Sequence, residues 1–376
     1  MNLASLILTF TIISGQLIKL PLGNGGIILL DVAVLALSVL GLVKLKFKLK
    51  KPPLFLTAAL TFILTGVLSL ILTPLNLQLP QYLISFSYAI RFCIYILLGW
   101  EIYSGAYPSL KNKIPAVLSF SGLILAILGL VQFYFLPDLR FLTKAGWDPH
   151  YFRAVSTFLD PNFLGAYLVL TLLLLFQNLS KVKKWKILTL GIIYFALLVT
   201  FSRGAYLAFF VTFTMLSFLN KSLRQMLLTI SLSLGLLLGF HLYQTGVAQP
   251  RGINRSQSAQ SRQNSWQQGW QLFQTHPIFG VGFNAYRYGL KTYNLGDEQF
   301  LKTHGSSTND SSLLYVAATT GILGFLTYIF FLFTLVKSGW NQKFLPAALL
   351  GLIAQSFFAN TLFYPPLLIW VILMAL

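Results

Sequence analysis

The chain is a succession of apolar runs separated by short polar segments. A run of about 20 apolar residues is the length of an α-helix that crosses a bilayer. The pattern predicts an all-α, polytopic integral membrane protein of twelve transmembrane helices, organised as a single domain over residues 1–376. The predicted spans are 2–18, 25–43, 54–74, 82–103, 114–136, 161–178, 187–201, 204–219, 225–244, 311–336, 344–360 and 363–376.

Basic residues in the short loops predict the orientation of these spans. They cluster after the second, fourth, sixth, eighth and tenth spans, at Lys44–Lys51, Lys111–Lys113, Lys181–Lys186, Lys221–Arg224 and Lys337–Lys343. All five loops lie on the same side if the spans alternate in direction. Short loops rich in Lys and Arg stay in the cytoplasm, so we expect both termini to be cytoplasmic.

The opposite, outer face then carries two long loops, 137–160 and 245–310, and a short turn at Ser202–Gly204. The loop 245–310 joins the ninth and tenth helices, and a long loop in a compact membrane protein is usually either functional or disordered. The Gln/Ser/Asn composition of 254–264 is typical of a flexible segment. The following W-x3-W-x2-F spacing, Trp266 to Phe273, predicts an amphipathic helix lying on the membrane.

Composition agrees with a membrane protein and limits the chemistry. The chain is 56% hydrophobic and only 9% charged. Its net charge of +19 would suggest nucleic acid in a soluble protein, but the positive loops account for much of it, and we expect membrane lipids and no nucleic acid as partners. The single cysteine excludes a disulfide within the chain. The absence of HExxH, P-loop and GxSxG patterns leads us to expect no metal and no cofactor.

Arginines are the most frequent charged residues of the predicted outer face. They are Arg140, Arg153, Arg203, Arg251, Arg255, Arg262 and Arg287, with Arg91 inside the fourth span. Guanidinium groups match phosphate oxygens in a bidentate manner, so this face fits an anionic ligand such as pyrophosphate. Two alternatives stay open: the arginines contact anionic lipid headgroups, or Arg203, in LVTFSRGAYLAFF, is an interfacial residue that snorkels to water.

Four stretches together resemble the O-antigen ligase and polymerase superfamily of bacterial membrane proteins. RAVSTFLDPNFLGAYLVL (153–170) resembles its F-x-(D/H)-P-N-x-x-G segment, and TFSRGAYLAFF (200–210) its S-R-G/S turn. SRQNSWQQGWQLFQTHPIFGVGFNAY (261–286) is similar to its arginine, tryptophan and P-x-x-G-x-G pattern. NDSSLLYVAATTGILG (309–324) is similar to its H-N-x-x-L and G-x-x-G helix. The resemblance extends over most of the chain.

This resemblance implies a metal-independent glycosyltransferase at the outer face of the bacterial cytoplasmic membrane. The donor would be a glycan linked to undecaprenyl pyrophosphate, and the acceptor a glycan, a lipid or a protein hydroxyl. Arg203 and Arg262 match the arginines that hold the pyrophosphate in the family. Arg91 and Arg153 are further candidates for that site from their charge and position. Fixed cations stabilise the charge that develops on a leaving pyrophosphate.

The acceptor hydroxyl needs a general base, which the family usually supplies as a histidine. Counting back from Gly321, that position falls at or next to Asp310, whereas His304 lies six residues upstream. Either Asp310 replaces the histidine or His304 reaches the site from the loop. We favour Asp310, with a pKa that nearby Arg262 is expected to lower.

Two other function classes compete with the glycosyltransferase. A transporter would use intramembrane charges, and Asp31 and Arg91 are the main candidates, although we expect them to pair with each other across the second and fourth spans. A non-catalytic protein of envelope polysaccharide assembly would explain the displaced histidine.

Overall fold

The computed structural model describes residues 2–22, 25–176, 184–251 and 255–376, and it is largely helical within these ranges. The described residues form sixteen α-helices: α1 Leu3–Ser14, α2 Leu29–Lys44, α3 Leu54–Ile71, α4 Leu79–Ser104, α5 Pro108–Lys111, α6 Ile114–Phe135, α7 Pro161–Phe176, α8 Lys184–Leu198, α9 Arg203–Leu219, α10 Leu223–Tyr243, α11 Arg255–Thr275, α12 Tyr286–Thr292, α13 Glu298–Lys302, α14 Ser312–Ser338, α15 Phe344–Gln355 and α16 Pro365–Met374.

Each of the twelve predicted spans contains a helix, and four further helices, the short α5, α12 and α13 and the longer α11, lie between them. Five helical stretches in the described ranges are long and apolar enough to cross a membrane: Leu54–Ile71, Leu79–Ser104, Ile114–Phe135, Leu223–Arg251 and His304–Ser338. The structure therefore agrees with a polytopic helical membrane protein. The full number of twelve spans, the domain limits and the cytoplasmic termini stay predictions.

One element of the fold is not helical, and the sequence analysis missed it. Strands β1 (Lys19–Leu22) and β2 (Gly25–Ile28) pair in an antiparallel hairpin, with Lys19 opposite Ile28. The predicted second span therefore begins four residues too early, because 25–28 belong to β2 and the helix starts at Leu29. The sequence signal was present, since Gly23-Asn24, the two residues between the paired Leu22 and Gly25, is a dipeptide typical of two-residue hairpin turns.

The centre of the bundle is formed by helices that are apolar on every side. All ten residues of α16 are buried, and α7 is buried along most of its length. A helix that is hydrophobic all round belongs in such a position. Around this centre, α3 packs on α14 and α9 packs on α15. Helix α10 lies at the periphery, where exposed leucines such as Leu234 and Leu238 face outward.

Helix α14 is interrupted at Gly321, whose backbone adopts φ 64° and ψ −167°. The segment 277–282 occupies the interruption. Val281 N donates to Ala318 O at 3.0 Å and Gly282 N donates to Thr319 O at 2.9 Å, while Ile322 N donates to Pro277 O at 2.8 Å. Backbone groups freed by a broken helix must find partners when water is excluded. Backbone hydrogen bonds thus connect the P-x-x-G-x-G segment to the G-x-x-G helix. We call this connection the joint between 277–282 and α14.

Candidate functional site

The first polar element of the site is the beginning of α7, in the sequence Asp160-Pro161-Asn162. Asp160 Oδ1 accepts hydrogen bonds from Asn162 N at 2.6 Å and from Phe163 N at 3.2 Å. The side chain is therefore an N-cap, and Pro161 stands at the first helical position, where its missing N–H costs nothing. The main-chain oxygen of Asn162 accepts a hydrogen bond from Gln355 Nε2 at 2.8 Å. This bond connects the start of α7 to the end of α15.

The turn between α8 and α9 is fastened to that helix start. Ser202 accepts from Ala205 N at 3.3 Å and so caps α9. Its hydroxyl donates to Asn162 Oδ1 at 2.7 Å. Two stretches that are separate in the sequence, D-P-N and S-R-G, are thereby joined through one side-chain hydrogen bond.

Arg153 supports the same turn. Its Nε donates to Thr200 O at 2.9 Å and its Nη2 donates to Phe201 O at 3.3 Å. Phe201 has a φ of 46°, in the left-handed region that a bulky residue seldom adopts. The guanidinium thus stabilises a sharp turn. The predicted contact of Arg153 with pyrophosphate stays a prediction.

Arg203 follows this turn as the first residue of α9, and its side chain is exposed. Its Cζ lies 5.9 Å from the centre of the Phe240 ring on α10. The next residue, Gly204, lies against Gln355 and Phe358. Arg203 therefore sits beside the segment that connects α15 to α16.

Helix α11 borders that segment from the other side and carries Arg262. Trp266 donates its Nε1–H to Phe357 O at 2.9 Å and packs on the Phe358 ring at 5.7 Å. Of the stretch 254–264, for which the composition indicates flexibility, residues 255–264 belong to α11 and residue 254 lies outside the described residues. The aromatic spacing does form a helix, but Trp266 packs on protein.

The start of α14 is docked onto α11 by polar contacts. Asn309 Nδ2 donates to Ser265 O and to the hydroxyl of Tyr286, and Asp310 N donates to Ser265 Oγ at 3.0 Å. Gly269 leaves room for Asn309, since a Cβ there would lie 2.6 Å from Asn309 Nδ2. These contacts hold Asp310 next to the turn of α11 that bears Arg262.

Three carboxylates interact at this position. Burial raises the pKa of Asp310 to about 6, and repulsion from Asp148 and Asp160 adds to the rise while Arg262 opposes it. The expected lowering was wrong, because the attraction of Arg262 is weaker than the cost of desolvating the carboxylate. Asp310 is therefore poised to accept a proton near neutral pH, which suits a general base.

Asp148 and Asp160 complete the cluster. Burial raises the pKa of each of these carboxyl groups, while Arg153 lowers both and Arg262 lowers that of Asp148. The side chain of Asp148 is exposed to solvent, and the protein atoms around it raise the pKa of its carboxyl. We call these five side chains, Asp148, Arg153, Asp160, Arg262 and Asp310, the acid–base cluster. Sequence reasoning did not assign a role to Asp148 or Asp160.

A cavity of about 250 Å³ borders the acid–base cluster. Trp147 and Thr308 line it, one and two residues away from Asp148 and Asp310. His304 also lines it, and its ring lies 5.0 Å from that of Trp147. Lys19 places its Nζ 5.3 Å from the Trp147 ring. The structure thus places His304 on the cavity wall, and the choice between His304 and Asp310 as base stays a prediction.

Arg91 lines the other side of this cavity and is paired. Its Nη2 lies 2.9 Å from Asp31 Oδ2 and donates to Gly26 O at 2.6 Å. Asp31 also accepts from Tyr95 OH at 2.9 Å. The predicted pairing of Asp31 with Arg91 is confirmed. A contact of Arg91 with pyrophosphate stays a prediction, and the carboxylate offsets much of its charge.

The described residues form a helical membrane protein in which charged side chains gather where α7, α11 and α14 begin or meet. The O-antigen ligase family model matches residues 187–329, from α8 into α14. This match confirms the resemblance to the O-antigen ligase and polymerase superfamily and indicates a protein of that general function. No curated protein sequence matches the chain. Among the described residues, no group of three or more His, Cys, Asp or Glu side chains is arranged to hold a metal ion.

The hydrogen bond between Ser202 and Asn162 should couple the stabilities of α7 and α9. We expect Ser202→Ala and Asn162→Ala to destabilise the protein with an interaction free energy of about 1 kcal/mol in a double-mutant cycle, because one shared hydrogen bond is lost. Thermal or denaturant unfolding in detergent measures it. Ser222→Ala removes the matching N-cap of α10, where Ser222 accepts from Gln225 N at 3.3 Å. The loss of stability in Ser222→Ala should add to the loss in Asn162→Ala, with an interaction free energy near zero.

Proposed function

We propose that this protein transfers a glycan from undecaprenyl pyrophosphate to an acceptor hydroxyl at the outer face of the bacterial cytoplasmic membrane, as an O-antigen ligase or a polysaccharide polymerase does. The observation that carries the proposal is the acid–base cluster, in which the Asp310 carboxyl has a pKa of about 6 under the opposing influence of burial and Arg262, and Asp148 beside it is under the influence of Arg153 and Arg262. A base and fixed cations at one place are what this reaction requires.

The chemistry assigns a separate role to each group. The acceptor oxygen attacks the anomeric carbon of the donor sugar and its proton passes to the Asp310 carboxylate. The bond between the anomeric carbon and the pyrophosphate oxygen breaks, and undecaprenyl pyrophosphate leaves. Arg262 and Arg203 stabilise the negative charge on the departing pyrophosphate, since guanidinium groups pair bidentately with phosphate oxygens. The reaction uses no cofactor.

Arg153 and Ser202 act through the scaffold in this proposal. Their hydrogen bonds fix the turn that precedes Arg203. A guanidinium that stabilises a transition state has to be held in place before the reaction, because reorganising it during the reaction would forfeit part of the gain. The D-P-N and S-R-G stretches therefore serve one purpose, which is to orient the start of α9.

The pairing of Arg91 with Asp31 bears on the transporter alternative. A conduction pathway needs ionisable groups that face it, whereas this carboxylate is 5% exposed and is engaged by Arg91, Tyr95 and the backbone. The main intramembrane charges named by that alternative are thus structural. The non-catalytic alternative predicts donor binding without turnover.

Substitution of the two arginines tests the proposal. We expect Arg203→Ala and Arg262→Ala each to lower glycan transfer at least about 100-fold, which is the usual cost of removing one group that stabilises a developing oxyanion. The measurement is transfer of a lipid-linked glycan by purified protein in detergent. Arg140→Ala is the matched control, because Arg140 is exposed and pairs with Asp138 at 2.7 Å. Full transfer by both variants would contradict the proposal.

The two enzyme activities differ in the acceptor. The surface glycan of a strain that lacks the protein distinguishes them: shortened chains identify a polymerase, and full-length chains that are no longer attached identify a ligase.

A further inference from the structure

A second cavity lies far from the acid–base cluster. It has a volume of about 280 Å³ and is enclosed by α7, α8, α9 and α10. Its walls are apolar, formed by side chains such as Leu172, Phe176, Leu190, Phe213 and Leu228. It takes no part in the proposed transfer reaction.

The cavity is at the opposite end of the bundle from the acid–base cluster. Helix α9 begins at Arg203, beside that cluster, and its lining residues are Phe209, Phe213, Leu216 and Ser217. At 1.5 Å per residue, Phe213 and Leu216 are about 15–20 Å further along the helix. The lining residues of α10 belong to its first half, from Gln225 to Leu232. The cavity therefore opens near the loop that joins α9 to α10.

Basic side chains surround this opening. Lys184 at the start of α8, and Lys221 and Arg224 around the start of α10, are exposed. Lys343, from the connection before α15, reaches the same loop, where its Nζ lies 3.5 Å from Asn220 Oδ1. The sequence contains no Asp or Glu between residues 161 and 296, so the helices that form the cavity contribute no carboxylate to balance these charges.

We propose that this cavity is a binding site for an anionic phospholipid. One acyl chain fills the apolar space between α8, α9 and α10, and the headgroup phosphate pairs with Lys221, Arg224 and Lys343. The ammonium and guanidinium groups supply the charge that attracts an anionic headgroup, and the apolar walls supply the hydrophobic contribution to binding. This inference is independent of the proposed glycan transfer.

Gly191 offers a direct test of the acyl-chain contact. It lines the cavity, and a Cβ added there meets no atom within 4 Å. A Phe side chain can therefore fill the space that the acyl chain would occupy. We expect Gly191→Phe to reduce binding of phosphatidylglycerol at least about tenfold, measured by native mass spectrometry of the detergent-purified protein. Gly246→Phe is the matched control, because Gly246 has equally open surroundings and lies outside the cavity.

The headgroup contact needs a separate variant. Each basic residue near an anionic membrane surface contributes about fivefold to binding, so Lys221→Gln combined with Arg224→Gln should weaken phosphatidylglycerol binding about 25-fold. Binding of phosphatidylcholine with the same acyl chains should change much less. The control pair is Lys48→Gln with Lys51→Gln, which removes two exposed lysines from a different loop.

Several outcomes would overturn the proposal. Equal binding of phosphatidylglycerol and phosphatidylcholine by the unmodified protein would remove the headgroup contact. Undiminished lipid binding by Gly191→Phe would remove the acyl-chain contact, and Gly191→Leu serves as a smaller replacement if the Phe variant is not monodisperse. Stronger competition by undecaprenyl phosphate than by phosphatidylglycerol would assign the cavity to a polyprenyl chain.

Discussion

Replacement of Asp310 by Asn should abolish glycan transfer, with a loss of about 100- to 10,000-fold, the contribution typical of a general base. Asn keeps the shape of the side chain and cannot accept the proton. The predicted loss is specific to this carboxylate, so Asp138→Asn, at an exposed aspartate of another segment, should retain activity. His304→Gln discriminates between the two candidate bases, and we expect it to retain more activity than Asp310→Asn.

The pH dependence of transfer gives an independent check. Because the pKa of Asp310 is raised to about 6, the unprotonated base predominates above pH 6 and its fraction falls about tenfold per pH unit below it. The kcat/KM of the unmodified protein should follow this curve, since that parameter reports groups of the free enzyme. A flat profile between pH 5 and 7 would show that Asp310 is not the base.

The thermal stability of Asp310→Asn distinguishes a general base from a residue that supports the fold. The folded-state pKa of Asp310 is above its ordinary value of 3.8, so the stabilisation present below pH 4 is lost through ionisation as the pH rises from about 4 to about 6, and no further loss follows above that range. Asp310→Asn removes that ionisation. We therefore expect a Tm equal to or higher than that of the unmodified protein at pH 7, together with lost transfer. A lower Tm would indicate that the carboxylate supports the fold.

Gly280→Ala should prevent most of the protein from folding. Gly280 has a φ of 70°, and an added Cβ would lie 2.5 Å from the Thr319 carbonyl oxygen. The left-handed backbone alone costs about 1–2 kcal/mol for a residue with a side chain, and the clash displaces the donors at Val281 and Gly282 from α14. Unsatisfied backbone groups at membrane depth cost several kcal/mol each.

The yield of monodisperse protein and its Tm, measured by size-exclusion chromatography and thermal unfolding, check this prediction. Gly246→Ala is the control, since a Cβ at Gly246 meets no atom within 4 Å. A normal yield and Tm for Gly280→Ala would show that the joint between 277–282 and α14 does not hold the fold together.

The helices could be predicted from the sequence because apolar runs of membrane length have few alternatives to an α-helix. The hairpin of β1 and β2 could not be predicted from the same criterion. Its residues Leu20, Leu22 and Ile27 are apolar, so hydropathy alone merges them with the neighbouring helices. Only the local turn signal at Gly23-Asn24 distinguishes them from the neighbouring helices.

The acid–base cluster shows a different limit. Arg262 and Asp310 were found because each lies in a stretch with a family resemblance. Asp148 is 162 positions before Asp310 in the chain, and no local pattern indicates that it meets that residue. The expected direction of the Asp310 pKa shift was wrong for the same reason. The burial of the site and the repulsion from Asp148 and Asp160 arise only when the chain packs.

The joint between 277–282 and α14 also determines which outer segments are able to move. Opening 277–282 as a lid would break buried backbone hydrogen bonds on both sides of Gly321, and this motion is slow because each lost bond adds to its barrier. The contacts between the residues that follow the short helical segment Arg140–Ala145 and the segment His304–Ser307 include a ring contact between Trp147 and His304 and a backbone hydrogen bond from His304 N to Gly146 O. We therefore expect an opening of the cavity between 140–147 and 304–307 to break fewer backbone hydrogen bonds than a displacement of 277–282.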